Sequence, residues 1–175
     1  LIADQITSVT LGNGLRIYVA PNHRAPVVTA QIWVETGSIH EEEYLGCGLS
    51  HFLEHMLFSG TEKFPGKTEI SDRATMLGAK LNAWTSYNHT AYYMEGPSTT
   101  WKQLADMLCD MVSQPLFPED AFQKEKGVIL RECAMRNDNP DSVLFETLIS
   151  NRFRNFPMRY PVIGLQEGIE KVDRE

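Results

Sequence analysis

The segment GLSHFLEHMLFSG, Gly48 to Gly60, carries His51, Glu54 and His55 among apolar neighbours. Two histidines four residues apart lie one helical turn from each other, and each can give a nitrogen to a single Zn2+. Glu54 is one turn from His51 on the same side. It is placed to hold a water at such a metal and take its proton, the general-base role in metal-assisted hydrolysis. The order His-x-x-Glu-His reverses the His-Glu-x-x-His pattern of many zinc proteases and is itself a metalloprotease signature. The competing reading is a solvated, charged helix face.

A catalytic zinc needs three protein ligands and an open position, so one more carboxylate or imidazole is required. The stretch FQKEKGVILRE offers Glu125 and Glu132, seven residues apart and therefore on one side of a helix. Their separation is roughly 10 Å along the axis, so only one can ligate; the other would orient a histidine or the water. The plain alternative is that both are ordinary exposed helix glutamates. Cys47, one turn before His51, would close the site as a fourth ligand if the helix reached back that far. Because Gly46 and Gly48 flank it, a small buried thiol is expected instead. His23, His40 and His89 lack metal spacing and read as loop or strand histidines.

Around these residues, Leu49, Phe52, Leu53, Met56 and Leu57 recur at helical spacing and predict a core-facing stripe, with Gly60 as the C′ residue. Val9 to Val19 alternates around Gly12-Asn13-Gly14 and predicts a hairpin, and Val27 to Val34 is expected to join the same sheet. A second helix is expected from Thr68, as its cap, to Leu77, stopped by Gly78. Ala79 to Gly96 reads as two strands joined near Tyr87-Asn88. Trp101, Leu104, Ala105, Leu108, Met111 and Val112 form a helical stripe ended by Pro115. Pro118 opens a long helix through Arg136, and a further helix runs from about Asp141 to Phe153. This pattern predicts an α+β fold, a mainly antiparallel sheet with helices packed on one face.

With 175 residues, 42% of them hydrophobic, the chain can bury the core of one sizeable domain. A net charge of −7 without any Lys/Arg cluster argues against nucleic acid and against an anionic membrane surface as partners. The longest apolar runs fall short of a membrane span. Three widely spaced cysteines without a Cys-x-x-Cys pair imply reduced thiols. The opening LIADQITSVTLGNG has no basic segment followed by an apolar one and no initiator Met, so a removed signal peptide stays open; the compartment is left open, a soluble protein of bacterial periplasm or cytoplasm being one expectation.

Taken in order, GLSHFLEHMLFSGT, LNAWTSYNHTAYY and EKGVILRECAMRNDNP resemble the pitrilysin or insulinase family of inverted zinc metallopeptidases, over nearly the whole chain from Val9 onward. The resemblance implies that His51, His55 and Glu132, 77 residues after His55, are the ligands of one Zn2+. It makes Glu54 the catalytic base and Glu125 an auxiliary glutamate. It also implies that Asn82, Ala83, Trp84 and Thr85 form an edge strand where substrate backbone binds by β-augmentation. For Trp84 and Tyr93 the alternative is packing on the sheet face.

By the same resemblance, residues 1–175 are a single catalytic domain, the N-terminal domain of a longer two- or four-domain peptidase. A second homologous domain, in cis or on a partner chain, would complete it. The isolated chain would then be weakly active or inactive and prone to self-association. The function implied is a zinc metalloendopeptidase acting on extended or unfolded peptides. The alternatives are an inactive binding module of the same fold, as in some respiratory-complex subunits similar to the family, and a structural zinc protein that uses Cys47. An intact His-x-x-Glu-His favours the peptidase.

Overall fold

The computed structural model describes residues 6–66 and 68–174. The strands are β1 (Thr7–Thr10), β2 (Arg16–Val19), β3 (Val27–Val34), β4 (Lys80–Thr85) and β5 (Thr90–Pro97). The α-helices are α1 (Leu49–Leu57), α2 (Glu69–Met76), α3 (Trp101–Ser113), α4 (Glu119–Asn137), α5 (Pro140–Arg152) and α6 (Gln166–Lys171). Strand pairing is antiparallel throughout, and the main sheet has the order β3-β5-β4. Val28, Ala30, Ile32, Leu81, Ala83, Tyr92 and Met94 turn to one face of that sheet and pack with residues of α2 and α3. Gln31 and Trp33, at the alternate positions of β3, are exposed. The chain is thus α+β with helices on one sheet face. None of the described helices is long and apolar enough to cross a membrane.

Strand β3 does not join the hairpin. Among the described residues β1 and β2 pair only with each other, from Thr7 opposite Val19 to Thr10 opposite Arg16, while β3 pairs with β5 along its whole length. The connection between β2 and β3 contains Pro21 and Pro26, which have no N–H to give to a ladder, and the chain leaves the hairpin there.

Two apolar clusters make the core, and α1 belongs to both. Leu57 packs with Ile70, Ala74, Met94, Leu104, Leu108 and Met111 between the sheet, α2 and α3. Phe52 and Met56 pack with Phe122, Ile129, Ile163 and Ile169 against α4 and α6. Leu53 lies in the middle of the apolar arc that the spacing predicts to be buried, yet it is 49% exposed. The neighbours flank α1 on two sides and leave the middle of the arc uncovered.

Helix α1 also stops earlier than the Gly60 signal predicts. Phe58 is its C-cap, and the N–H groups of Phe58 and Ser59 turn back to His55 and Met56 in i→i+3 bonds that tighten the last turn. Gly60, with φ +122°, follows beyond the cap and gives its carbonyl to the N–H of Leu116. The buried Thr61 then ties the exit to α3: its hydroxyl donates to Asp110 and accepts the N–H of Phe64. Thr68 holds the N-cap position of α2 without a side-chain bond; Glu69 there accepts the N–H of Gly66 at 2.8 Å.

Candidate active site

Because α1 lies between two cores, its polar side chains emerge toward two different elements. Glu54 is on the β4 side, where Thr85 Oγ1 donates to its Oε2 at 2.6 Å. His55 is on the α4 side, with Nδ1 3.3 Å from Glu125 Oε2 and Nε2 3.7 Å from Glu132 Oε2. His51 Nε2 is 3.8 Å from the same oxygen of Glu132. One ligand atom from each of His51, His55 and Glu132 lies within 4.8 Å of the other two.

These distances fit a cation better than direct contact. At 3.7 and 3.8 Å the nitrogens and the carboxylate oxygen are too far apart to hydrogen-bond. Two ligands of a tetrahedral zinc, each at about 2.1 Å, sit roughly 3.4 Å from each other. Two imidazoles and a carboxylate are also the donor set of hydrolytic zinc sites. The other nitrogen of His51, Nδ1, is buried and has no hydrogen-bond partner among the described residues, so within them this side chain has one polar outlet, toward Glu132. Cys47 lies outside the group, because α1 begins at Leu49 and does not carry the thiol round to the ligand side. Glu125 and Glu132 take separate places: the first is buried against His55 Nδ1, and the second is part-exposed at the ligand cluster.

The electrostatics favour neutral imidazole and a held carboxylate. Burial pulls the His51 pKa down to about 4, with His55 and then Arg136 adding to the effect, so the ring is a ready nitrogen donor at neutral pH. Burial pushes the Glu54 carboxyl above its ordinary value; the Thr85 hydrogen bond and His55 oppose that push, and Glu132 reinforces it. A carboxyl raised in this way is a stronger proton acceptor when ionised. Tyr92 is raised as well, by burial first and by the Glu54 charge second.

With order β3-β5-β4, strand β4 is an edge, and Asn82, Ala83, Trp84 and Thr85 lie along it. Around this strand the rings of Trp84 and Tyr93 meet at 5.7 Å, Trp84 meets Trp33 at 5.2 Å, and His89 stacks on Trp33 at 4.8 Å. A cleft of about 370 Å3 runs between α2 and β4, lined by Ser71, Thr75, Leu81, Asn82 and Tyr93 among others.

The model of the family described as "Insulinase (Peptidase family M16)" matches residues 16–165. The chain belongs to the insulinase family. It is 35% identical to the uncharacterized zinc protease YmxG of Bacillus subtilis over 164 residues, 94% of this chain and 40% of that protein. It is 31% identical to the mitochondrial-processing peptidase subunit beta of Dictyostelium discoideum over 174 residues, 99% of this chain and 37% of that protein. Among solved structures, a protease from Helicobacter pylori superposes with a TM-score of 0.84 at 25% identity, covering 97% of this chain and 40% of that one. The chain therefore spans about two fifths of the length of these insulinase-family relatives. These relatives are, by their names, a zinc protease, a processing-peptidase subunit and a protease.

One residue that supports this candidate site is not apparent from sequence. Helix α1 has Gly48 as N-cap, with φ +69°, and a Cβ there would lie 2.1 Å from the Ile163 carbonyl oxygen. No capping side chain fits at that position. The cap comes from Glu41, a buried carboxylate that accepts the N–H groups of Gly48 and Ser50. The signal that would have found it is a helix opening on Gly with no Ser, Thr, Asp or Asn at the cap, since its first N–H groups must then find an acceptor elsewhere.

Proposed function

We propose that this chain is the catalytic domain of a zinc-dependent metalloendopeptidase that hydrolyses extended or unfolded peptides. The observation that carries the reading is the convergence of His51, His55 and Glu132 from α1 and α4, with Glu54 held beside them from β4. His51, His55 and Glu132 would hold one Zn2+ per chain. When bound, the ion supplies a Lewis acid that makes water a nucleophile at neutral pH and polarises the scissile carbonyl. Glu54 accepts the proton of the attacking water and returns it to the leaving amine. Glu125 acts through His55: a hydrogen bond at Nδ1 fixes the ring so that Nε2 faces the ligand cluster.

The free edge of β4 supports substrate binding by strand addition. A peptide laid on Asn82, Ala83, Trp84 and Thr85 would be held mainly through its backbone, which gives affinity with little sequence selectivity and suits unfolded substrates. The 370 Å3 cleft beside α2 would take side chains away from the scissile bond. A second homologous domain, in cis or on a partner chain, would close over this edge and supply the remaining contacts, and this domain alone would turn over peptide slowly if at all.

Metal analysis after dialysis, paired with turnover of a quenched peptide by the complete enzyme, tests the reading. About one zinc per chain, and activity removed by a chelator and restored by Zn2+, is the expected result. A chain that takes up no zinc, or turnover that survives complete metal removal, would overturn it and leave an inactive binding module of the same fold.

A further inference from the structure

Glu54 has one hydrogen-bond donor among the described residues, and it comes from the strand on which substrate is proposed to bind. Thr85 Oγ1 donates to Glu54 Oε2 at 2.6 Å and also lies 3.5 Å from the carbonyl of Ser50. A hydroxyl has a single proton, so the nearer, charged acceptor takes it. Threonine is β-branched and stiff at χ1, so the direction of this bond follows the backbone of β4.

The ladder pattern makes Thr85 a link to substrate as well. Ser86 N–H donates to His89 O at 2.8 Å, just beyond the pair Thr85 and Thr90. Antiparallel strands turn their N–H and C=O groups to the partner at alternate residues. Trp84 and Asn82 therefore bond to β5, whereas Thr85, Ala83 and Leu81 turn theirs to the open edge. Ala83 N–H, at that edge, donates to the neighbouring Asn82 Oδ1 at 2.9 Å. A peptide added to the edge would meet the backbone of the residue whose side chain holds the base.

We propose that Thr85 is a positioning residue that couples strand addition on β4 to the alignment of Glu54. The proposal rests on the peptidase reading above. Its consequence is that the Thr85 hydroxyl contributes to the chemical step and not to substrate affinity or zinc retention, because the backbone contacts and the ligand set survive its loss.

The test is Thr85→Val, which keeps shape and backbone and removes the donor, beside Thr85→Ser, which keeps the donor, both in the complete zinc-loaded enzyme. Thr85→Val is expected to lower kcat by roughly ten- to a hundredfold, the weight of a hydrogen bond to a charged group. KM should stay within about twofold and zinc at about one per chain, with Thr85→Ser recovering most of kcat. A crystal structure of Thr85→Val should show the Glu54 carboxylate displaced. A wild-type kcat in Thr85→Val, a loss that falls on KM or zinc content, or a failure of Thr85→Ser to recover rate would each overturn the proposal. Glu54→Gln in the same assay separates the two levels: if it lowers kcat by a factor on the order of 100 or more while Thr85→Val keeps the wild-type kcat, the positioning role alone falls. If turnover is independent of Glu54, the peptidase reading falls and takes this proposal with it.

Discussion

His55 Nδ1 lies 3.3 Å from the buried carboxylate of Glu125, while its Nε2 points to Glu132 at 3.7 Å, so the two glutamates of α4 address opposite nitrogens of one ring. Glu132→Gln, which weakens a ligand, should reduce zinc affinity first, with activity partly restored by excess metal. Glu125→Gln should retain zinc at saturating metal and lower its affinity by the 10- to 100-fold typical of an outer partner. Competition against a chromophoric chelator measures both. If Glu125→Gln abolishes zinc binding and Glu132→Gln does not, the third ligand has been assigned to the wrong turn of α4.

Glu41 predicts a stability effect that reaches the metal. Its carboxylate takes two of the first N–H groups of α1, only a few residues before His51. Glu41→Ala leaves those groups unpaired and should cost about 1 to 3 kcal/mol of stability, read from urea denaturation. It should also weaken zinc binding by letting the first turn of α1 fray. Glu41→Gln, which still accepts through its carbonyl, should lie between.

The sequence made the local half of the site legible and the distant half only by analogy. His51, Glu54 and His55 sit within a single helix, whose period alone puts them on one side. Glu132 comes from a second helix 77 residues away, and no periodicity carries that far. The aromatic contacts of Trp84 and the edge position of β4 follow from strand order, which hairpin signals constrain. The separation of β1 and β2 from β3 depends on which strands find partners, and the exposure of Leu53 on how α1 sits between two cores; neither is encoded in a local pattern. Glu41 was hidden for the same reason, since its acceptor role depends on a glycine pressed against the Ile163 carbonyl.

Removing the metal should expose a pH dependence owed to His51. Its folded pKa is lowered from 6.5 to about 4, so between those values the unfolded chain binds a proton that the folded chain does not. The stability from this residue is present above pH 6.5 and is lost as pH falls toward 4, in total about 3 kcal/mol at 1.36 kcal/mol per unit. Urea melts in a chelator across that range should show the loss in the wild type. In His51→Gln the slope should be shallower by that amount, and equal slopes would contradict the assignment.

The central claim is that Glu54 moves the proton while His51, His55 and Glu132 hold the metal. The most direct measurement is zinc content beside peptide turnover for Glu54→Gln in the complete enzyme. About one zinc per chain should remain, with kcat lower by a factor on the order of 100 or more, as expected for the loss of a general base. Turnover within a few-fold of wild type with zinc still bound would contradict the claim.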